Sequence, residues 1–123
     1  MLMRTAETTM KTIEISSTPS ALSLYSSALR SSSKRPGSAE LPAVRLVRSG
    51  VMLDGAHIER YARVCGFRMS QGVPPTYPHM LAFPLQMKLM CSPAFPWSVM
   101  GLVHLGNTIE QHRALAPGQK LDV

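Results

Sequence analysis

Aromatic residues are scarce in this sequence: they make up 6% of its 123 residues, whereas Met occurs nine times. A core of this composition has few large rigid side chains and many adaptable ones. The two cysteines are too few for a disulfide framework, which argues against a small disulfide-stabilised scaffold. The most apolar stretch, residues 79–91, includes Lys88 and is too short to span a bilayer. We therefore expect a soluble, cytoplasmic protein with no membrane span.

The composition of the first residues indicates one alternative cellular location. No apolar core of a secretory signal follows the first charge, but residues 1–34 are rich in serine and poor in acidic groups. That composition is typical of a mitochondrial transit peptide, although the apolar face of such a helix would be weak here. Mitochondrial import is the alternative to the cytoplasm.

Acidic residues are also few, and the formal net charge is +6. The first fifty residues contain seven basic and three acidic side chains. Such an excess could favour nucleic acid, or a phosphate-bearing ligand such as coenzyme A or a phosphopantetheine carrier. The basic residues are scattered singly, however, and no aromatic residues are interleaved for base stacking. A solvated surface is the simpler interpretation, and no nucleic-acid partner is expected.

The chain divides by composition into two parts. Residues 1–40 form a Ser-rich leader that should be flexible, because it cannot bury enough apolar surface to order itself. Apolar residues at helical spacing between Ala21 and Leu29 predict one short helix within it. Residues 41–123 are predicted to be the folded segment.

Strand and helix signals alternate in this second part. A strand is predicted over Leu41–Leu53, with an interruption at Gly50. Asp54 is a good helix N-cap, and Gly66 can end the same helix. A second helix should begin near Pro78. Its residues are apolar nearly all round, so other structure must wrap it, and Pro84 should kink it unless the helix starts only there.

The last quarter of the chain predicts strands. Alternating residues over Gly101–Ala114 indicate a long strand, and residues 120–123 indicate the start of a returning one. His104 and His112 share a face of that strand, but eight extended residues separate them by about 26 Å, so no metal site is expected. Because so few strands cannot cover a wholly apolar helix, we expect the sheet to be incomplete in this chain.

Several strings in this order resemble a known family. They are YARVCGF at 61–67, PPTYPHMLAFPL at 74–85, GLVH at 101–104 and NTIEQHR at 107–113. Together they resemble the N-terminal half of double-hot-dog proteins in the MaoC-like dehydratase family, over about residues 20–123. The resemblance implies an α+β class and a partial hot-dog fold, in which a curled antiparallel sheet surrounds a central apolar helix.

The family's reaction is the reversible addition of water to the double bond of an enoyl thioester, with an Asp and a His as general base and acid. This chain departs from the motif that carries them. Phe67 stands where the resemblance places the Asp, and Gly72 where it places the His. Neither can transfer a proton, so no catalytic residue is expected here, and the family's working motif belongs to the second half.

The resemblance implies a ligand-lining role for four residues of the second helix: Tyr77, His79, Phe83 and Met87. The alternatives are that His79 is a structural histidine and that the apolar residues are simply core. No cofactor is expected. The expected ligand is an acyl-CoA or acyl-ACP thioester, and the expected partner is a second hot-dog unit, either in a homodimer or as the C-terminal half.

Three functional hypotheses follow from these observations. The first is the substrate-side, non-catalytic N-terminal part of a hydratase or dehydratase of fatty-acyl metabolism, inactive alone. The second is a non-enzymatic hot-dog module that binds acyl thioesters or a partner hot-dog subunit. The third is a truncated relic without function.

Overall fold

A computed structural model describes residues 9–34 and 40–123. Within these residues the chain contains three α-helices and four short strands, which confirms the mixed α+β class. In chain order they are β1 Lys11–Glu14, α1 Ala21–Ser31, β2 Val44–Val47, β3 Val51–Met52, α2 Gly55–Cys65, α3 Tyr77–Cys91 and β4 Lys120–Leu121.

The first sheet pairs β1 with β2 in parallel, with Lys11 opposite Val44 and Glu14 opposite Val47. The strands are parallel because α1 crosses over between them, which makes β1–α1–β2 a βαβ unit. The helix α1 and the strand β2 confirm the sequence predictions for these segments. The strand β1, within the predicted leader, was not predicted, and the prediction of antiparallel pairing is wrong for this sheet.

The second sheet pairs β3 with β4 in antiparallel fashion, with Val51 opposite Leu121. This confirms a strand at Lys120–Leu121, but its partner is β3 and not the segment 101–114 from which it was predicted to return. The pairing continues beyond the strands, because the N–H of Leu53 donates to the Gln119 carbonyl at 2.8 Å. The described strands thus form two separate two-stranded sheets. They do not form the one curled sheet around α3 that the resemblance implied.

The predicted signals at both ends of α2 are present. The Asp54 side chain accepts a hydrogen bond from the N–H of Ala56 at 2.9 Å, which satisfies a donor of the first turn. Gly66 has a φ of 76°, the left-handed conformation that ends a helix, and its N–H donates to the Ala62 carbonyl. Ile58 and Ala62 are fully buried on the inner face of the helix.

The helix α3 begins at Tyr77, with Pro78 in its first turn, and continues past Pro84. The alternative that the helix starts only at Pro84 is therefore wrong. The helix packs against α1 and β2. Yet only Tyr77 and Leu85 are fully buried, so this apolar helix is only partly covered by the residues that the structure describes.

The main core lies where α2, α3 and the end of β3 meet. Its buried members are Leu53, Ile58, Val73 and Tyr77. Full burial of one such side chain contributes about 1.5–3 kcal/mol, so this cluster fixes α2 against the start of α3.

The predicted strand over Gly101–Ala114 is wrong. Residues 102–114 have no regular secondary structure, and Leu105 is 95% exposed. Alternation of apolar and polar residues yields a strand only when a neighbouring strand completes the hydrogen bonds. No described segment pairs with these residues.

Candidate functional site

An apolar cleft of about 400 Å³ lies between α1 and α3. Leu24 and Tyr25 line it from α1, and Phe83, Pro84 and Met87 line it from α3. Phe83 is 47% exposed and forms part of the rim. The volume falls within the range of about 300–1,000 Å³ that is usual for small-molecule sites.

Local sequence explains how these side chains come together. The hydroxyl of Ser20 accepts a hydrogen bond from the N–H of Ser23 at 3.2 Å, which starts α1 and brings Leu24 and Tyr25 into its first two turns. Phe83 and Met87 are four residues apart on α3, so they lie one turn apart on the same face. The cleft is therefore built by two helix faces that meet.

Lys34 joins the far ends of these two helices. Its ammonium group donates to the carbonyls of Ser92 at 2.6 Å and Phe95 at 2.9 Å, and lies 3.5 Å from that of Met90. It also lies 5.9 Å from the centre of the Phe95 ring. One partly buried cation just after α1 thus satisfies carbonyl groups at the end of α3 and in the turn that follows.

Two more clefts continue from the apolar one along the same helix pair. The middle cleft, of about 370 Å³, shares Pro19 and Leu24 with it and is lined by Ser23, Ser27, Lys88 and Ser92, among others. The last, of about 410 Å³, shares Ser27 and Cys91 with the middle one and adds Arg30, Ser31 and Lys34. We call the three together the α1–α3 groove. Its wall changes from apolar to hydroxyl-rich to basic.

The structure divides the four predicted ligand-lining residues between three places. Phe83 and Met87 lie together in the α1–α3 groove. Tyr77 is 1% exposed and belongs to the main core. His79 faces a different cleft, beside β2, and its Nε2 lies 3.3 Å from the side-chain nitrogen of Asn107. A shared ligand role for all four stays a prediction.

Tyr77 takes part in a hydrogen-bonded pair with α2. Its hydroxyl lies 2.8 Å from Nδ1 of His57, and the rings of Tyr77 and Tyr61 meet edge to face with centres 5.4 Å apart. Burial raises the pKa of the Tyr77 hydroxyl; the Asp54 carboxylate raises it further, and Arg60 acts in the opposite direction. Tyr77 is therefore neutral at physiological pH and joins α2 to α3.

The two positions that depart from the family's proton-transfer motif carry no titratable group in this chain. Phe67 stacks on Tyr61, with ring centres 6.3 Å apart. Gly72 has a φ of 82°. Among the described residues there is also no group of three His, Cys, Asp or Glu side chains that could hold a metal ion.

Sequence reasoning missed the α1 wall of the groove and the role of Lys34. The signal for the wall was present, since the predicted helix already contained Tyr25. Its pairing with the helix at Phe83 depends on residues almost sixty positions away, which local patterns do not reveal. Nothing in the sequence distinguishes Lys34 from an exposed lysine.

Comparison with known proteins gives one relevant match. A protein named 3-hydroxyacyl-thioester dehydratase X, from Mycobacterium tuberculosis, is 37% identical to this chain over 81 residues. The chain is related to the MaoC-like dehydratases. The matched region is 66% of this chain and 29% of the length of that dehydratase. No family model and no solved structure matches this chain.

Proposed function

We propose that this chain is the substrate-side, non-catalytic N-terminal part of a MaoC-like enoyl-thioester hydratase or 3-hydroxyacyl-thioester dehydratase. The observation that carries the proposal is the apolar end of the α1–α3 groove, together with the named relative. The ligand is an acyl-CoA or acyl-ACP thioester of fatty-acyl metabolism. In this proposal the described residues belong to a hot-dog unit whose sheet requires further strands.

The groove suits an acyl chain for a simple physical reason. Removing hydrocarbon from water contributes about 0.8 kcal/mol for each buried CH₂ group. Leu24, Phe83 and Met87 offer apolar surface without a competing charge. The flexible Met side chain can adapt to chains of different length.

Phe67 and Gly72 are the reason for assigning substrate binding and proton transfer to two different units. Water addition needs one group to accept a proton and another to donate one. The residues at both motif positions lack such a group, so we assign the proton transfers to a second hot-dog unit and the holding of the acyl chain to this one.

The test combines binding with turnover. We would measure acyl-CoA binding by titration calorimetry and the hydration of crotonyl-CoA by the purified chain. We expect binding without turnover. The variant Phe83→Gln should weaken binding severalfold, whereas the control Phe67→Gln, which changes another partly exposed Phe outside the groove, should not.

Two results would contradict the proposal. Hydration of crotonyl-CoA by this chain alone at an enzyme-like rate would show that it is catalytic after all. If acyl-CoA did not bind, or if both substitutions weakened its binding equally, the groove would not be the acyl-binding site.

A second candidate is a non-enzymatic module that binds acyl thioesters or pairs with another hot-dog subunit. The exposed segment 102–109 favours it, because Val103 is 78% and Leu105 is 95% exposed, and the segment has no strand partner among the described residues. A second copy of the chain could pair there. Light scattering should then give a dimer that Leu105→Lys converts to monomer; a wild-type monomer at every concentration would exclude it.

The cytoplasm is the proposed location. Cys65 and Cys91 both carry free thiols, which suits a reducing compartment. In the part of the chain that the structure describes, no helix is long and apolar enough to cross a membrane.

A further inference from the structure

The strand β2 has one edge that no described residue completes. The other edge is occupied by β1, since the carbonyls of Ala43 and Val47 accept hydrogen bonds from the β1 side at 2.8 and 2.7 Å. Backbone groups of successive strand residues point to opposite edges, so the N–H and the carbonyl of Leu46 point away from β1. Unpaired backbone groups along a strand edge are a template for a further strand.

Hydrogen bonds along this second edge begin next to Leu46. Two residues further along the chain, Arg48 exchanges two hydrogen bonds with Val123, at 2.7 and 3.0 Å. Leu46 is the next residue on the same edge, and no described residue pairs with its backbone groups. A strand placed beside Leu46, in line with Val123, would therefore extend the pairing that Arg48 begins.

A mostly apolar cleft of about 310 Å³ lies between β2 and α3 on this side. Leu46 and Val123 line it from the strands. The wall from α3 includes apolar residues spaced along one helix face: Ala82, Leu85 and Leu89. A strand at the Leu46 edge would point every second side chain towards this cleft. The occupant should therefore be a segment with apolar residues at alternate positions.

The chain contains a segment with this pattern and without a strand partner. Val103, Leu105 and Ile109 alternate with other residues, so an extended backbone would place all three on one side. Val103 and Leu105 are 78% and 95% exposed, and no described segment pairs with residues 102–109. The free edge and the free segment match in pattern, but they are not paired with each other within one chain.

A contact between Asn107 and His79 places this segment next to the cleft. The side-chain nitrogen of Asn107 lies 3.3 Å from Nε2 of His79, and His79 lines the same cleft. Two copies related by a two-fold axis near His79 can thus exchange segments in both directions. Going beyond acyl binding, we infer that the cleft binds a second copy of the chain, with residues 102–109 of each copy added as a strand to the Leu46 edge of the other. This exchange pairs the backbone of Leu46 and covers Leu105 at the same time.

Proline substitutions at the two edges of the first sheet test this assignment. Leu46→Pro removes the N–H that points outward, while the hydrogen bonds to β1 use other residues of β2. The matched control is Thr12→Pro, because the N–H of Thr12 points to the outer edge of β1 in the same way. By light scattering over a range of concentrations, the wild type and Thr12→Pro should be dimers. Leu46→Pro loses a donor at two symmetric sites, so its dimer dissociation constant should rise about tenfold or more.

A mixing experiment identifies the segment that the edge binds. Leu105→Lys keeps the Leu46 edge intact but places a charge on the donated segment, so this variant should also be a monomer. An equimolar mixture of Leu46→Pro and Leu105→Lys contains one intact edge and one intact segment. Heterodimers should therefore form at concentrations at which each variant alone is a monomer. Circular dichroism shows whether each variant is folded.

Several results would overturn the inference. A wild-type chain that is a monomer at every concentration has no second copy at this edge. If Thr12→Pro and Leu46→Pro, both folded, lost the dimer alike, or if only Thr12→Pro lost it, the Leu46 edge would not be the interface. If Leu105→Lys disrupted the dimer and Leu46→Pro did not, or if the mixture gave no heterodimer, the segments 102–109 would not bind β2. The α1–α3 groove is tested separately, because Leu46→Pro should bind acyl-CoA as the wild type does.

Discussion

Replacing Lys34 by Met should destabilise the fold more than any other single change of a lysine among the described residues. The substitution keeps an unbranched side chain of similar length but removes the ammonium group. It leaves the carbonyls of Ser92 and Phe95 without their donor, at contacts of 2.6 and 2.9 Å. A hydrogen bond to a charged group contributes about 1.5–3 kcal/mol, and the partly exposed carbonyls recover some of this from water.

We therefore expect a loss of about 2–3 kcal/mol in the free energy of unfolding. At about 4 °C per kcal/mol for a chain of this length, the melting temperature should fall by roughly 10 °C. Thermal unfolding followed by far-ultraviolet circular dichroism measures this directly. The matched control is Lys120→Met, because Lys120 is exposed and its side chain makes no hydrogen bond among the described residues.

The reasoning would be refuted if Lys34→Met and Lys120→Met melted within about 2 °C of each other. Lys34→Arg provides a further check. It keeps the charge, but its planar fork of donors cannot place three N–H groups on one atom as an ammonium group does. Its melting temperature should lie between those of the wild type and Lys34→Met.

The remaining predictions concern other parts of the molecule. Burial raises the pKa of the Tyr77 hydroxyl, so the unfolded chain loses the hydroxyl proton at a lower pH than the folded chain does. The contribution of Tyr77 to the free energy of unfolding should therefore be complete below about pH 10.0 and decline above it. In urea titrations Tyr77→Phe should remove this decline, and Tyr25→Phe should not. Gly66→Ala places a side chain at a φ of 76° and should cost about 1 kcal/mol in chemical denaturation, whereas Gly106→Ala, which meets nothing within 4 Å, should be neutral. Amide protons of residues 103–109 should exchange with deuterium within seconds, and protection there in a monomer would contradict the exposed arrangement.

The elements that could be predicted from the sequence are those whose causes are local. Asp54 and Gly66 act on backbone groups within a few residues, so both ends of α2 were predicted and confirmed. The same holds for α1, where the apolar spacing lies within the helix itself. The start of α3 near Pro78 was equally local, since proline suits a first turn.

The elements that could not be predicted depend on distant partners. The strand β1 exists because β2, more than thirty residues later, completes its hydrogen bonds. The segment 101–114 shows the reverse case, since its alternating pattern is as regular as that of a strand but no described segment pairs with it. A pattern states which face a strand would present, and only a partner decides whether the strand forms.

The candidate site shows the same distinction. Phe83 and Met87 were predicted on one helix because their spacing is local, and they do lie in one cleft. His79 and Tyr77 are on the same helix, but the structure directs them to β2 and to the main core. The other wall of the cleft, α1, lies in the segment predicted to be a loose leader, and its packing against α3 could not be foreseen from composition.

Lys34 connects the stability of the fold to the proposed ligand. If it holds α1 on α3, then the groove and the folded state require the same contact. A ligand that binds only the folded chain stabilises it by about 2.7 kcal/mol at one hundred times its dissociation constant. Saturating acyl-CoA should therefore restore most of the melting temperature lost in Lys34→Met. It should do so less effectively in the Lys34→Met, Phe83→Gln double variant at the same ligand concentration, because the apolar wall of the groove is then weakened. If acyl-CoA raised the melting temperature of both variants equally, the ligand would bind outside the groove, and the link between Lys34 and binding would be lost.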